Sequence, residues 1–148
     1  MPTTPHLAGA IRNFLLGNPA IATQLTGGIA DGQAARDTPL PYCVIEIKDS
    51  NSMRIFGGKE VYFATVFLSI FAAGRNTAET VGNAIRDAIL PPDDEPAWSP
   101  LGLAEGWIDA NRQPAGGESV EIDPETRAAF GVDVWVCHKP ISWTLSRG

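Results

Sequence analysis

Residues 60–90 read EVYFATVFLSIFAAGRNTAETVGNAIRDAIL, a strand-like run that passes through one glycine into a helix-like run. Val61, Tyr62, Phe63, Thr65, Val66, Phe67, Ile70 and Phe71 crowd β-branched and aromatic groups more densely than a strand wetted on one side carries. The expectation is a strand covered on both faces. Beyond Gly74, Asn76 is placed to cap a helix and Glu79 to reach back three residues later. Ala78, Val81, Ile85, Ala88 and Ile89 fall on one apolar stripe, and Pro91 and Pro92 end the pattern. Such a strand offers two surfaces, and the chain's own helices need not cover both.

Upstream, Thr4 and Pro5 resemble a helix cap and first turn, with Leu7, Ile11, Phe14 and Leu15 on one face and Gly17 closing the helix. Asn18 and Pro19 restart a short turn through Ile21 and Leu25. Residues 28–41 are small and polar, with at most a short strand near Ile29. In PYCVIEIK, Cys43, Ile45 and Ile47 alternate with Tyr42, Val44, Glu46 and Lys48, as a half-buried strand does. Eleven residues, DSNSMRIFGGK, then join two strands that are most simply antiparallel neighbours. Ordinary hairpin loops use about two to five residues. A projecting tip carrying Met53, Arg54, Ile55 and Phe56 is expected. Downstream, residues 91–106 form a Pro-rich acidic stretch containing Trp98, WIDANRQ and RAAFGVDVWVCH read as two strands, and an acidic turn-rich link joins them. Ile141, Trp143 and Leu145 alternate near the C-terminus, where residues 139–148 are expected to act as an arm of an otherwise single domain spanning 1–148.

A chain of 148 residues buries enough surface to fold as one domain without staples. Its formal charge of −6 argues against a nucleic-acid grip or a polybasic membrane contact. Cys43 and Cys137 sit in apolar runs and are expected to be buried thiols. No apolar run approaches the ~20 residues of a membrane span, and the N-terminus lacks the pattern of a secretory signal. The chain is therefore expected to be soluble and made inside the cell.

Motifs for chemistry are scarce. Gly57, Gly58 and Lys59 resemble a phosphate loop only superficially, since Met53 and Glu60 stand where glycine and Ser or Thr are required. His6 and His138 lie near opposite ends without a paired acid signature, and Glu118, Glu121, Asp123 and Glu125 lack calcium-loop spacing. Asp93, Asp94 and Glu95 are adjacent in a Pro-rich loop, which suits solubility better than a fixed acid and base. No catalytic residue, cofactor or metal site is expected.

The order IRNFLLGNPAIATQLTGGI, DTPLPYCVIEI and EVYFATVFLSIFAAGRNTAETVGNAIRDAIL, over about residues 7–90, resembles the tail terminator or tail-completion proteins of long-tailed bacteriophages. Residues 107–137 fit that family's remaining strand pair more loosely. The resemblance implies a structural virion protein at the head-proximal end of the tail, made in the host bacterial cytoplasm. It implies a ring, typically a homo-hexamer, that caps the tail tube, stops its growth and meets the head connector. DNA would pass through the lumen without sequence-specific binding, and six copies at −6 each would repel it. The fold expected is α+β: a mixed, largely antiparallel sheet of four or five strands, two main helices on one face (about 5–16 and 76–90) and a long projecting hairpin. Residues expected at partner interfaces are Met53, Arg54, Ile55, Phe56, Lys59, Trp98, Ile141, Trp143 and Leu145. Other readings are a head-completion or neck protein, a tail-assembly chaperone and, from another class, a small enzyme.

Overall fold

The computed structural model describes residues 6–35, 37–55, 57–91, 100–123 and 133–148. In chain order the elements are α1 (Leu7–Leu16), α2 (Pro19–Gln24), β1 (Ile29–Asp31), β2 (Tyr42–Arg54), β3 (Glu60–Ala72), α3 (Arg75–Ile89), β4 (Ile108–Pro114), β5 (Ser119–Ile122) and β6 (Trp135–Arg147). The strands form one open sheet in the order β1-β2-β3-β6-β4, with β5 also paired to β6. β1 runs parallel to β2, and every other pairing among the described residues is antiparallel. The α+β architecture and long hairpin are as expected. The strand count is six: the short strand near Ile29 forms as β1, and β5, four residues long, lies in the acidic link expected to be a turn-rich connection.

Two-residue alternation divides β3 cleanly. Tyr62, Ala64, Val66, Leu68, Ile70 and Ala72 are buried and join the core with the helices. Val61, Phe63, Thr65, Phe67, Ser69 and Phe71 point to the opposite face, where no second layer lies among the described residues. Phe67 and Phe71 are only half-buried, shielded by neighbours on the same face: Tyr42 stacks on Phe71 at 4.9 Å, and the Lys48 ammonium lies 4.7 Å from the Phe67 ring. The expectation of a strand covered on both sides therefore holds on the helix side alone.

α3 starts earlier than Asn76 predicts. Gly74 is extended at the N-cap and supplies no side chain, so Asn76 already lies within the first turn, too late to cap. Glu79 pairs with Arg75 at 3.1 Å, one turn before it, instead of reaching back to a cap. Ala78, Val81, Gly82, Ile85 and Ile89 form the buried stripe. A Cβ on Gly82 would stand 2.7 Å from Cys137 Sγ, so the bare backbone there is what lets α3 lie close on β6. At the other end of the chain, α1 buries Leu7, Ile11 and Leu15 and closes at Gly17, while Asn18 Oδ1 accepts from Ala20 N at 3.1 Å to start α2. Thr4 and Pro5 lie outside the described residues.

The largest correction concerns the C-terminus. Residues 139–148 are no arm: β6 is a 13-residue interior strand that pairs with β3 along its whole length and with β4 and β5 on its other side. Ile141, Trp143 and Leu145 are at most 1% exposed and sit in the chain's own core. Pro140 does not break the strand, for a local reason. Its carbonyl accepts from Ala115 N at 3.1 Å, in the gap where β4 ends and β5 has not begun. The N–H that proline lacks would point to that same side, where the ladder is already interrupted. Cys43 and Cys137 are buried free thiols, as expected, and burial pushes Cys43 up to about 12.

A buried ion pair ties the layers together. Asp109 Oδ2 accepts from Arg112 Nη2 at 2.6 Å, Arg112 Nε at 3.0 Å and Leu101 N at 3.0 Å, while Oδ1 accepts from Trp143 Nε1 at 3.1 Å. Arg112 Nη1 donates to Ile89 O at 2.9 Å, at the end of α3, and the guanidinium faces the Phe14 and Trp143 rings at 5.2 and 5.3 Å. One carboxylate thus joins β4, β6 and the loop before β4, and its arginine partner extends the link to α1 and α3.

Candidate interaction surface

The hairpin tip is built by β2 and β3 running past the helices. Met53 pairs with Val61 and Arg54 with Glu60. Ile55 N then donates to Lys59 O at 2.8 Å, and Gly57 and Gly58 take φ of +92° and +82°, conformations that glycine adopts without strain. Met53 is 47% and Ile55 41% exposed, and Arg54 and Lys59 are exposed beside them. Phe56 and Trp98 lie outside the described residues. Of the residues expected at interfaces, the structure thus gathers Met53, Arg54, Ile55 and Lys59 at one place and moves Ile141, Trp143 and Leu145 inside.

Behind the tip, the registers line up a row across the open face: Met53, Val61, Ser146 and Ile108. The next row is Asn51, Phe63, Thr144 and Asn111. Ile108 is 60% and Phe63 40% exposed, so three large apolar groups from three strands share this end of the sheet. Sequence reasoning placed Phe63 in a covered strand and gave Ile108 no role. The signal was the alternation in WIDANRQ, but a register shift between Asp109 and Asn111 re-aims the strand midway, and that is not readable from residue types.

Charge at the tip is held in place. Glu60 Oε2 accepts from Arg147 Nη2 at 2.7 Å and its Oε1 from Arg54 Nη2 at 3.3 Å. The hydrogen bond from Arg147 leads the causes that hold the Glu60 carboxyl below its ordinary value. Arg147 also covers the Trp107 ring at 4.6 Å. At the opposite end of the sheet, around β5 and the start of β6, Glu118 pairs with Lys139 at 3.0 Å and with Arg86 at 3.6 Å, and Glu121 lies 3.4 Å from His138. Ile122, opposite Trp135, is 38% exposed.

The outer edge of β2 is guarded. β1 covers only Cys43 to Ile45, and the register slips between Lys48 and Asn51, with Asp49 at φ +51°. A bulge flanked by Lys48 and Asp49 discourages another strand from pairing there.

One arrangement has the order of a hydrolytic triad. His138 Nδ1 is 2.9 Å from Ser69 Oγ, and its Nε2 is 3.4 Å from Glu121 Oε1, so the structure supplies the acid partner that the linear sequence hides. Ser69 nevertheless sits in the middle of β3, whose backbone pairs with β2 and β6 on its two sides. Among the described residues, no pair of free N–H groups lies beside it to hold an oxyanion. The set acts as a polar link across three strands. Among the described residues, no group of three His, Cys, Asp or Glu is placed to hold a metal ion, and no helix is long and apolar enough to cross a membrane.

No family model matches the chain, and no curated protein matches it. Among the solved structures that do match, a chain of the "Virion of native gene transfer agent (GTA) particle" shares the fold with a TM-score of 0.66 at 14% identity, over 95% of this chain and 94% of that one. The likeness spans nearly the full length of both chains, so the six-stranded sheet with its helices is one shared architecture and not a local coincidence.

Proposed function

We propose that the chain is a structural virion protein of a bacteriophage-type particle: a tail terminator that closes into a ring, of six copies, on the end of the tail tube. The ring stops tube growth and offers the joint to the head connector, with DNA passing through its lumen. The observation that carries this reading is the one-sided sheet. All three helices share one core with its inner face, while Met53, Ile55, Phe63 and Ile108 stand exposed at one end of the molecule. A monomer gains nothing from such a patch, whereas an assembly covers it. The full-length likeness to a chain of a virion supports the same reading. In this reading the 148 residues act as one unit without a catalytic role, and the partner surface is the hairpin tip and open sheet face in place of the C-terminus.

The test is direct. Added to its cognate tube protein during polymerisation, the purified chain is expected to shorten the tubes and to appear by electron microscopy as an annulus on one end. Tubes of unchanged length without bound protein would refute the terminator role. Binding to the connector in the absence of tubes would instead mark a neck protein.

A further inference from the structure

We propose that Arg147, at the end of β6, is a positioning residue that clamps the loop before β4 to the root of the hairpin. It thereby holds Met53 and Ile108 in one row on the open face. The clamp stands on contacts within the chain, and its use in capping rests on the ring reading.

Three observations carry it. First, Arg147 occupies the outermost rung of the sheet. Arg54, Glu60 and Arg147 lie side by side on β2, β3 and β6, and the Glu60 carboxylate accepts from both arginines. The bond from Arg147 is the shorter, 2.7 Å against 3.3 Å, and its side chain is largely buried where that of Arg54 is exposed. Beyond this rung the turn of the hairpin has no third strand beside it among the described residues.

Second, the same guanidinium reaches the loop before β4. Its Nη1 lies 3.4 Å from Glu105 O and 3.9 Å from Glu105 Oε2, and the group covers the Trp107 ring at 4.6 Å. The arginine stem passes beside Gly106, where a Cβ would stand 3.7 Å from its Cγ. A rigid fork of donors lets one side chain bind two segments at once.

Third, the Trp107 ring has no polar anchor of its own. It is buried and meets Tyr62 edge-on at 6.3 Å, but its Nε1 has no hydrogen-bond partner among the described residues. Packing and the cation above it are what hold the ring. Ile108 is the next residue, so the seat of Trp107 fixes where Ile108 emerges, opposite Ser146 and in the row that runs to Met53.

Hydrogen exchange on the full-length chain tests the clamp, and two amides report its two sides. Ile55 N donates to Lys59 O across the tip at 2.8 Å, and Trp107 N donates to Ala104 O in the loop at 3.3 Å. Arg147→Ala is expected to speed exchange at both by about tenfold and to leave the amides of α3 unchanged, as a local opening does. Glu60→Gln is expected to speed Ile55 alone, because Arg147 keeps Glu105 and Trp107. Arg147→Lys, which keeps a charge for Glu60 without the fork, is expected to restore the Ile55 rate more than the Trp107 rate. If Arg147→Ala speeds α3 by the same factor, the residue serves general stability; if it speeds neither amide or only one, nothing is clamped. Either result would overturn the proposal. On tube ends, Arg147→Ala is expected to need about tenfold more protein to cap half the tubes, because a loosened surface must be ordered on binding. Unchanged capping by a chain whose two amides have loosened would overturn the part Arg147 plays in the joint. If the unaltered chain caps no tubes the ring reading falls, and the exchange rates still decide the clamp.

Discussion

Replacing Asp109 by alanine removes a carboxylate on which four donors converge: Leu101 N, Trp143 Nε1 and two nitrogens of Arg112. Both side chains of the ion pair are fully buried. Breaking a buried pair by deleting one partner costs about 3–5 kcal/mol, because the remaining charge stays out of water. The stranded Trp143 and Leu101 donors belong to the same loss and are not added to it. A value near ~4 kcal/mol takes a large share of the roughly 5–15 kcal/mol that holds a domain of this kind. At roughly 2–4 °C per kcal/mol, the melting temperature should fall by about 8–16 °C. The comparison with Arg112→Met sharpens the test. Arg112→Met leaves the carboxylate held by Leu101 N and Trp143 Nε1, so it should cost less than Asp109→Ala. Urea unfolding followed by tryptophan fluorescence reads both, since Trp143 donates directly to Asp109. A loss below about 1 kcal/mol for Asp109→Ala, the range of exposed pairs, would refute the view that this pair fastens α1, α3, β4 and β6 together.

A chain ending at His138 is expected to be unfolded by circular dichroism, because Ile141, Trp143 and Leu145 alone each bury about 1.5–3 kcal/mol of apolar surface; a folded truncated monomer would contradict the placement of β6. Gly82→Ala should lower stability by about 1–3 kcal/mol despite alanine's better helix propensity, and Cys137→Ala in the same chain should recover most of that loss, because the clash is with Cys137 Sγ. Cys43 should resist thiol reagents at pH 8 in the folded chain and react on unfolding. An unfolded thiol ionises near 9.0 and the native one near about 12, so unfolding releases a proton between those values and stability should fall as pH rises through that window; Cys43→Ala should flatten the slope.

The parts of the fold legible in the sequence were those written in one local period. β3 shows its strand character and α3 its stripe openly, though the crowding in β3 hides which face stays open, and the Gly17-Asn18-Pro19 punctuation fixes the break between α1 and α2. What escaped depended on neighbours distant in sequence. Whether Ile141, Trp143 and Leu145 form a free arm or an interior strand is decided by their β3 partners Val66, Ala64 and Tyr62, far earlier in the chain. Pro140 is tolerated inside β6 only because of a gap in the adjoining edge, between β4 and β5, which no local pattern shows. Nothing in WIDANRQ marks Asp109 and Arg112 for burial, and only the convergence of Trp143, Leu101 and Ile89 turns them into an interior pair. The candidate surface divides the same way. The tip was visible because its apolar residues sit in a Gly-containing turn, whereas Ile108 joins Met53 and Phe63 through cross-strand register.

The sheet's treatment of its own edge says what kind of contact the chain is built to make. Along β2 a bulge, Lys48 and Asp49 oppose the addition of a strand, so backbone pairing is discouraged where the ladder is most open. In the proposed role side chains are left to carry assembly: the tip with Met53 and Ile55, and the open face with Phe63 and Ile108. Contacts of this sort are individually weak, are screened by salt, and become strong only when several close at once around a ring. In the proposed role that weakness is useful. Copies that joined by strand pairing would polymerise wherever they met, whereas copies joined by small side-chain patches remain separate until the end of a tube gathers them and the last contact closes.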